Sequence, residues 1–207
     1  MQQSRPRRTS GARPTDEHLL DAAREVFADR GFHAATMSEI SEHADSTKPT
    51  FYAHFGGKDE LYARLLGREA ELCRTHLFAA YEAAAGLGLR DQTRADVEAL
   101  FEYVRARPSG FELLFGPRNA STAAVVRDVL LEEIASHLAQ RLMDFHTRTA
   151  GRPTTWVEQQ LAAMLVGTAI TAAQHATSVE GDLDRACALA TSYAIAALEN
   201  LPALARA

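Results

Sequence analysis

The sequence of 207 residues lacks the features that mark membrane and secreted proteins. Its longest apolar stretch, from Leu161 to Ala173, is interrupted by Gly167 and two threonines and is too short to span a bilayer. The first residues do not form a charged and then apolar segment of the signal-peptide type, so we expect a cytoplasmic location and no membrane contact. The two cysteines, Cys73 and Cys187, lie far apart in helical patterns and are expected to be reduced rather than paired.

The sequence also lacks the motifs of catalysis and of metal binding. It contains no pair of histidines four residues apart, no cluster of carboxylates and no glycine-rich phosphate loop. His137 and His146 are separated by a spacing that does not place them on one face of a helix. We therefore predict no enzyme, no metal site and no cofactor.

Lysine is nearly absent: of 22 basic residues only Lys48 and Lys58 are lysines. The formal net charge is −5, and the surplus of acidic residues lies beyond residue 58. Residues 1–14 form, by contrast, a basic arm without acids, which we expect to be flexible. Two interpretations of this arm remain open, a segment that contacts the phosphates or minor groove of a nucleic acid, or a solubilising tail. Its candidate contact residues are Arg5, Arg7 and Arg8.

Alternating strand patterns are nearly absent as well, and the helix formers Ala, Leu, Glu and Arg dominate. Helical periodicity punctuated by glycine and proline predicts an all-α fold. A three-helix head at 15–57 would be joined by a long helix to a larger helical-bundle body at 58–207. The predicted helices cover residues 15–30, 37–44, 48–54, 58–85, 90–106, 109–115, 120–148, 154–178 and 182–200.

Two short helices separated by a tight turn, 36–44 and 47–54, form the pattern of a helix-turn-helix. A capping box at 36–39 begins the first of them. The second would enter a major groove of DNA, with Phe51 and Phe55 turned toward the core. Its exposed face, the two capping threonines and the start of the next helix then provide the candidate DNA contacts Thr36, Thr47, Lys48, Pro49, Thr50, Tyr52, His54 and Lys58.

Residues 18–66 closely resemble the DNA-binding region of the tetracycline-repressor (TetR) family. The matching elements are AAREVFADRGF, Thr36-Met37 followed by Ile40, TKPTFYAHF at 47–55 and KDELY at 58–62. The resemblance implies an all-helical homodimer with a ligand cavity in each body, and it assigns DNA contacts to the same eight residues. It also implies a transcriptional regulator, which we expect to be a repressor that a small organic effector releases from a palindromic operator.

Three positions depart from the family pattern. Asp45 stands where glycine is usual, at a residue expected to adopt the left-handed conformation that aspartate tolerates. Ser46 replaces a buried apolar side chain, which would cost roughly 1–2 kcal/mol unless its hydroxyl finds a partner. Gly57 stands where serine often caps the long helix. These substitutions bear on the rigidity of the head.

Aromatic and polar residues in the body suggest an effector pocket, because such pockets combine apolar walls with a few polar groups. The short segment at 108–115 is the best candidate for a moving element, since proline and glycine punctuate its apolar run. Ordinary core packing is the competing interpretation for each pocket candidate. The candidates are Cys73, His76, Tyr103, Phe111, Phe115, Leu130 and Ile134.

The predicted helices 154–178 and 182–200 are rich in small residues beside larger apolar ones, which favours close helix packing. The resemblance implies that they form half of an intersubunit four-helix bundle, and an internal antiparallel pair is the alternative. Two other hypotheses stay open for the whole chain. One is a DNA-binding regulator whose body is a protein-interaction module without a small ligand, and the other is a helical enzyme with an incidental helix-turn-helix.

Overall fold

The computed structural model describes residues 15–117, 121–149, 155–178 and 181–200, and within them the chain folds into nine helices and no strand. The predicted arm with Arg5, Arg7 and Arg8 lies outside the described residues. The predicted all-α fold is confirmed. The helices are α1 (Asp16–Ala34), α2 (Met37–His43), α3 (Lys48–Phe55), α4 (Lys58–Ala84), α5 (Leu89–Ala106), α6 (Pro108–Phe115), α7 (Ser121–Thr149), α8 (Thr155–Ser178) and α9 (Leu183–Glu199).

Helix α1 has local chemistry at both ends. The Thr15 hydroxyl accepts a hydrogen bond from the His18 N–H at 3.3 Å and so begins the helix. Gly31 adopts a φ of 75°, which is strained for a residue with a side chain, and the chain then makes one more turn to Ala34. The sequence predicts the end of this helix at Gly31, whereas the structure has a kink there and an added turn.

The head core is formed by α1, α2 and α3 around the start of α4. Phe27 of α1 and Ile40 of α2 are buried in it together with Phe51 and Phe55, which the sequence predicts for the inner face of α3. Helix α4 carries buried leucines from Leu61 to Leu77. Because this apolar face passes from the head into the body, a single hydrophobic core runs through both.

In the body, α7 packs against α8, α8 against α9, and α5 against both α4 and α9. The short helix α6 packs against α1 of the head as well as against α4 and α7. The body therefore contacts the head in two ways, through the long helix α4 and through α6.

Two expectations from the sequence concern the cysteines and the membrane-spanning potential of the helices. Cys73 and Cys187 are free and buried, and burial raises the pKa of the Cys73 thiol to about 12, so this thiol is unreactive at neutral pH. None of the described helices combines the length and the apolar character that crossing a membrane requires.

Candidate nucleic-acid interface and effector cavity

The turn between α2 and α3 contains the departures Asp45 and Ser46. Asp45 has a φ of 44°, the left-handed conformation expected at this residue. The backbone of the turn is satisfied, since Asp45 N–H donates to the Glu42 carbonyl at 3.1 Å and Ser46 N–H donates to the Ser41 carbonyl at 2.9 Å. Ser46 is only half-buried, so the burial penalty expected for a polar side chain in the core does not apply in full.

The first turn of α3 presents polar groups to solvent. Thr47 caps the helix, and its Oγ1 accepts a hydrogen bond from the Thr50 N–H at 3.4 Å and lies 2.9 Å from the Thr50 hydroxyl. Lys48 and Pro49 are exposed, and Tyr52 is 51% exposed one turn further along. These residues share the exposed side of α3 because its buried anchors, including Phe51, occupy the opposite side.

Thr36 begins the neighbouring helix α2 and is also exposed. Its hydroxyl accepts from the Glu39 N–H at 3.2 Å, while the Glu39 carboxylate accepts from the Thr36 N–H at 3.0 Å. This is the capping box predicted from the sequence. The hydrogen bonds from Thr36 hold the pKa of the Glu39 carboxyl below its ordinary value.

The Lys58 side chain contacts the end of α1. Its Nζ donates to the Phe32 carbonyl at 2.9 Å and to the Ala35 carbonyl at 3.1 Å, and it lies 4.5 Å from the centroid of the Phe32 ring. The ammonium therefore satisfies carbonyls at the end of α1, where a cation also complements the helix dipole. One of its three N–H groups is left for another acceptor.

His54 is turned toward α1. Its Nδ1 lies 2.5 Å from Oδ1 of Asp16, and the His54 side chain is only 16% exposed. The other carboxylate oxygen of Asp16 accepts from Arg64 Nη2 at 3.0 Å. The His54 hydrogen bond, assisted by Arg64, holds the pKa of Asp16 below its ordinary value. The sequence did not reveal Asp16 and Arg64 as partners of His54. Asp16 is 38 positions from His54, and Arg64 is 48 positions from Asp16, so no local pattern connects them.

A small cavity of about 60 Å³ lies in the body among α4, α5, α7, α8 and α9. Its walls are mostly apolar, with Tyr81, Thr93 and Asp96 as the polar members. Among its apolar lining residues are Leu77, Val97, Leu100, Ile134, Leu165 and Ile170.

Of the seven predicted pocket residues, Ile134 lines this cavity and Cys73, His76, Tyr103, Phe111, Phe115 and Leu130 do not. The latter pack elsewhere. His76 Nε2 lies 3.0 Å from the Ala99 carbonyl, and the Phe111 and Phe115 rings pack on each other with centroids 5.0 Å apart. Their aromatic and polar character in the sequence suggested pocket walls but did not reveal which helix interface contains a void.

A half-buried ion pair borders the polar side of the cavity. Arg141 Nη1 donates to both carboxylate oxygens of Asp96, at 2.9 and 2.8 Å, and Arg141 Nε donates to Gln92 at 3.1 Å. Burial raises the pKa of Asp96, and the Arg141 guanidinium opposes that rise. The His137 ring stacks on Tyr81 at 5.1 Å between centroids. The cavity thus offers apolar walls with a few polar groups at one side.

A second ion pair, with a fully buried carboxylate, lies where α6 meets α4. Glu69 is fully buried, and Arg107 Nη2 donates to its two oxygens at 3.0 and 2.9 Å. Arg68 Nη2 donates to the same carboxylate at 3.0 Å and to Asp21 of α1 at 2.9 Å. The carboxylate therefore connects the junction of α5 and α6 to the head.

Helices α8 and α9 expose apolar side chains that the described chain does not cover. Trp156 and Met164 of α8 are 68% and 57% exposed, and Leu189 and Tyr193 of α9 are 71% and 49% exposed. Exposed apolar side chains of this size, where they adjoin one another, are typical of interaction surfaces.

Comparison with known proteins places these features in a family. A family model described as bacterial regulatory proteins, tetR family, matches residues 19–65. The transcriptional activator FasR of Mycolicibacterium smegmatis is 40% identical over 105 residues, which are 49% of this chain and 47% of FasR, so the match spans about half of that relative. The transcriptional regulator UidR of Escherichia coli is 30% identical over 135 residues, 64% of this chain and 67% of UidR.

The fold has solved counterparts. The structure of FadR from Bacillus subtilis in complex with stearoyl-CoA superposes with a TM-score of 0.69 at 17% identity, over 90% of this chain and 97% of FadR. The family match to residues 19–65 agrees with the capped helix α3 of the head. The superposition with FadR agrees with the helical architecture of the body. The chain belongs to the TetR family of DNA-binding transcriptional regulators.

Proposed function

We propose that this protein is a ligand-responsive repressor that binds a roughly palindromic operator as a homodimer. The observation that carries the proposal is the exposed side of α3, where Thr47, Lys48 and Tyr52 face away from the head core. A major groove about 12 Å wide admits one such helix, and in a two-fold dimer the two recognition helices would meet grooves about 34–36 Å apart.

The proposed contacts divide by chemistry. Lys48 and Tyr52 would reach base edges or phosphates, and the helix starts at Thr36 and Thr47 would bind phosphates through backbone N–H groups and hydroxyls. Pro49 and Thr50 complete the face. Lys58 would contribute its remaining N–H to a phosphate while it holds the end of α1. The arginine arm, with Arg5, Arg7 and Arg8, would add contacts that depend strongly on salt.

The proposed dimer interface is the apolar face of α8 and α9. Replacing Leu189 or Met164, both mostly exposed, by glutamate would bury a charge in that interface and is expected to give monomers in sedimentation measurements. Val129→Glu on α7, at a residue 52% exposed, is the matched control and is expected to leave the dimer intact. Dimers of Leu189→Glu and Met164→Glu that persist at low concentration would contradict this interface.

We propose that the effector has an apolar part that enters the body cavity. A cavity of about 60 Å³ is much smaller than the roughly 300–1,000 Å³ of a typical ligand site, so an effector would have to separate the surrounding helices. Such a separation would move the long helix α4, which carries the head at its other end. Acyl-CoA thioesters are the first probes, since FadR of Bacillus subtilis was crystallised with stearoyl-CoA.

DNA binding is tested by selecting duplexes from a random-sequence pool with the wild-type protein and measuring affinity for the selected sequence. Lys48→Ala and Tyr52→Ala are expected to lose most of that affinity while remaining folded dimers. Arg94→Ala, which removes one exposed cation from α5, is the charge-matched control and is expected to bind normally. Undiminished binding by both α3 variants would overturn the assignment of α3.

Repression is tested by placing the selected operator across a promoter in vitro, because the relative FasR is by name an activator. Wild-type protein is expected to lower transcript yield, and an increase would overturn the repressor role.

The small size of the cavity favours one alternative, a body that binds another protein and no small ligand. Melting temperatures measured with acyl-CoAs of increasing chain length distinguish the two, since a ligand that binds only the folded state raises the melting temperature. A rise accompanied by release of the operator supports the effector model. The relatives are regulators, and no observation favours the enzymatic alternative.

A further inference from the structure

Three helices of the head meet at one carboxylate. Asp16 lies in the first turn of α1, and its two oxygens take different partners, His54 in the last turn of α3 and Arg64 in α4. Arg64 Nη1 also lies 3.4 Å from the His54 carbonyl oxygen, and its guanidinium lies 5.1 Å from the centroid of the Phe55 ring. We call Asp16, His54 and Arg64 the head clamp.

The head clamp contacts the C-terminal end of α3. Helix α3 has only 8 residues, so it is about 12 Å long, and its opposite end presents Thr47 and Lys48. Phe51 and Phe55 fix which side of α3 faces the core, but two rings on one side leave the tilt of a two-turn helix to its end contacts. Because base-edge hydrogen bonds tolerate only a few tenths of an ångström, the tilt of α3 decides whether its side chains meet their bases.

The sign of the charge on Asp16 makes its role measurable. An acidic side chain on a DNA-binding head repels phosphates, so its removal should by charge alone strengthen binding to any DNA. The Asp16 side chain is 42% exposed, so its ion pair with Arg64 contributes little to global stability. A positioning role and a purely electrostatic role therefore predict opposite changes in operator affinity.

We propose that Asp16 is a positioning residue for operator recognition, and that through His54 and Arg64 it sets the angle at which α3 enters the major groove. The proposal rests on the proposed function, since it assumes that α3 reads the operator. In this proposal His54, which the sequence places among the DNA contacts, instead holds the C-terminal end of α3 through its contact with α1.

The test compares Asp16→Ala with wild-type protein on two probes, the duplex selected from the random-sequence pool and a scrambled duplex of the same length. Affinity for the selected duplex is expected to fall about tenfold, the scale of one misplaced base contact. Affinity for the scrambled duplex is expected to stay equal or to rise, because that binding depends on charge. The slope of log affinity against log salt is expected to be unchanged, since no phosphate contact is lost.

Two variants separate positioning from charge and from folding. Asp59→Ala removes an exposed acid from the first turn of α4, the same change in the charge of the head, and is expected not to weaken binding to the selected duplex. Asp16→Asn keeps one oxygen that can accept the His54 hydrogen bond but places an amide NH2 where Arg64 donates, so it is expected to retain part of the affinity that Asp16→Ala loses.

The clamp also predicts a non-additive pair. His54→Ala is expected to weaken binding to the selected duplex, and Asp16→Ala is expected to have little further effect in the His54→Ala background, because the two side chains act as a unit. Equal or tighter binding of the selected duplex by Asp16→Ala would overturn the proposal. An equal loss on both duplexes together with a lower melting temperature would also overturn it, since that marks a weakened α1. If wild-type protein selects no sequence, the proposed function fails instead.

Discussion

Ser109 at the start of α6 donates a hydrogen bond to Glu25 of α1, with 2.8 Å between its Oγ and Oε2 of the carboxylate. This bond ties the body directly to the head. It lies beside the buried pair of Arg107 and Glu69, which joins the same end of α6 to α4. A displacement of α6 would therefore reach the head without passing along α4.

Ser109→Ala is expected to make the protein less sensitive to acid. Burial raises the pKa of Glu25, but hydrogen bonds from Ser109 and Arg24 more than offset it, so the pKa lies below its ordinary value of 4.5. A carboxyl with a lowered pKa stabilises the fold above its unfolded-state pKa, and this contribution is lost as the pH falls through the folded-state value.

Melting temperatures from pH 7 to pH 3 are the measurement. At pH 7 the melting temperature of the variant is expected to be lower than that of the wild type, by the equivalent of about 1 kcal/mol or less of unfolding free energy. On acidification the melting temperature of the variant is expected to fall less. Parallel pH curves for the two proteins would show that the Ser109 bond does not control Glu25.

Glu69→Gln is expected to lower the free energy of unfolding by about 3 kcal/mol in urea denaturation, because it leaves the guanidinium groups of Arg107 and Arg68 without their buried counter-charge. Glu71→Gln is the matched control, two positions along α4, where the carboxylate is 61% exposed and pairs with Arg74. That change is expected to cost less than about 1 kcal/mol. Similar losses for the two variants would contradict a special role of the buried pair.

Two glycines in helices are expected to respond oppositely to alanine. A Cβ at Gly110 would overlap the Glu69 carboxylate and lie 3.2 Å from the Tyr103 hydroxyl, and the carboxylate is held by two arginines. Gly110→Ala is therefore expected to destabilise the fold by about 1–3 kcal/mol. Gly67→Ala meets nothing within 4 Å and is expected to stabilise it by about 0.5–1 kcal/mol. Melting temperatures that move in the same direction would refute this explanation.

Gly57→Ser is expected to stabilise α4 by completing a capping box with Glu60. Gly57 is the N-cap and makes no side-chain cap, and its extended backbone suits any residue. A Cβ there would lie 2.9 Å from Glu60 Oε2, the mobile end of a side chain that can turn to bond the cap N–H. The gain is expected to be about 0.5–1 kcal/mol, or a melting temperature about 2 °C higher.

Gly57→Ala is the control for that variant, since it adds the Cβ without the hydroxyl. It is expected to give no such gain, because alanine is a poorer cap than serine. An equal rise for alanine would mean that restriction of the unfolded chain, and not capping, explains the effect.

The sequence alone determined the all-α architecture and the threonine caps at the starts of α1, α2 and α3. The capping box at Thr36, the cap at Thr47 and the left-handed Asp45 are chemistry between residues a few positions apart, and such chemistry is present in any conformation that forms the helix. The inward side of α3 was predictable for the same reason, since Phe51 and Phe55 recur at helical spacing.

Only the tertiary structure decided which partners the long side chains contact and where a cavity remains. The sequence suggests Lys58 and His54 as DNA contacts, and only the tertiary structure shows that they also bind Phe32 and Asp16, which the packing of the head helices brings near. The cavity beside Ile134 is likewise a property of five helices together, because a void is the volume that neighbouring side chains fail to fill. Spacing along one helix predicts burial, whereas contact and emptiness depend on the angles between helices.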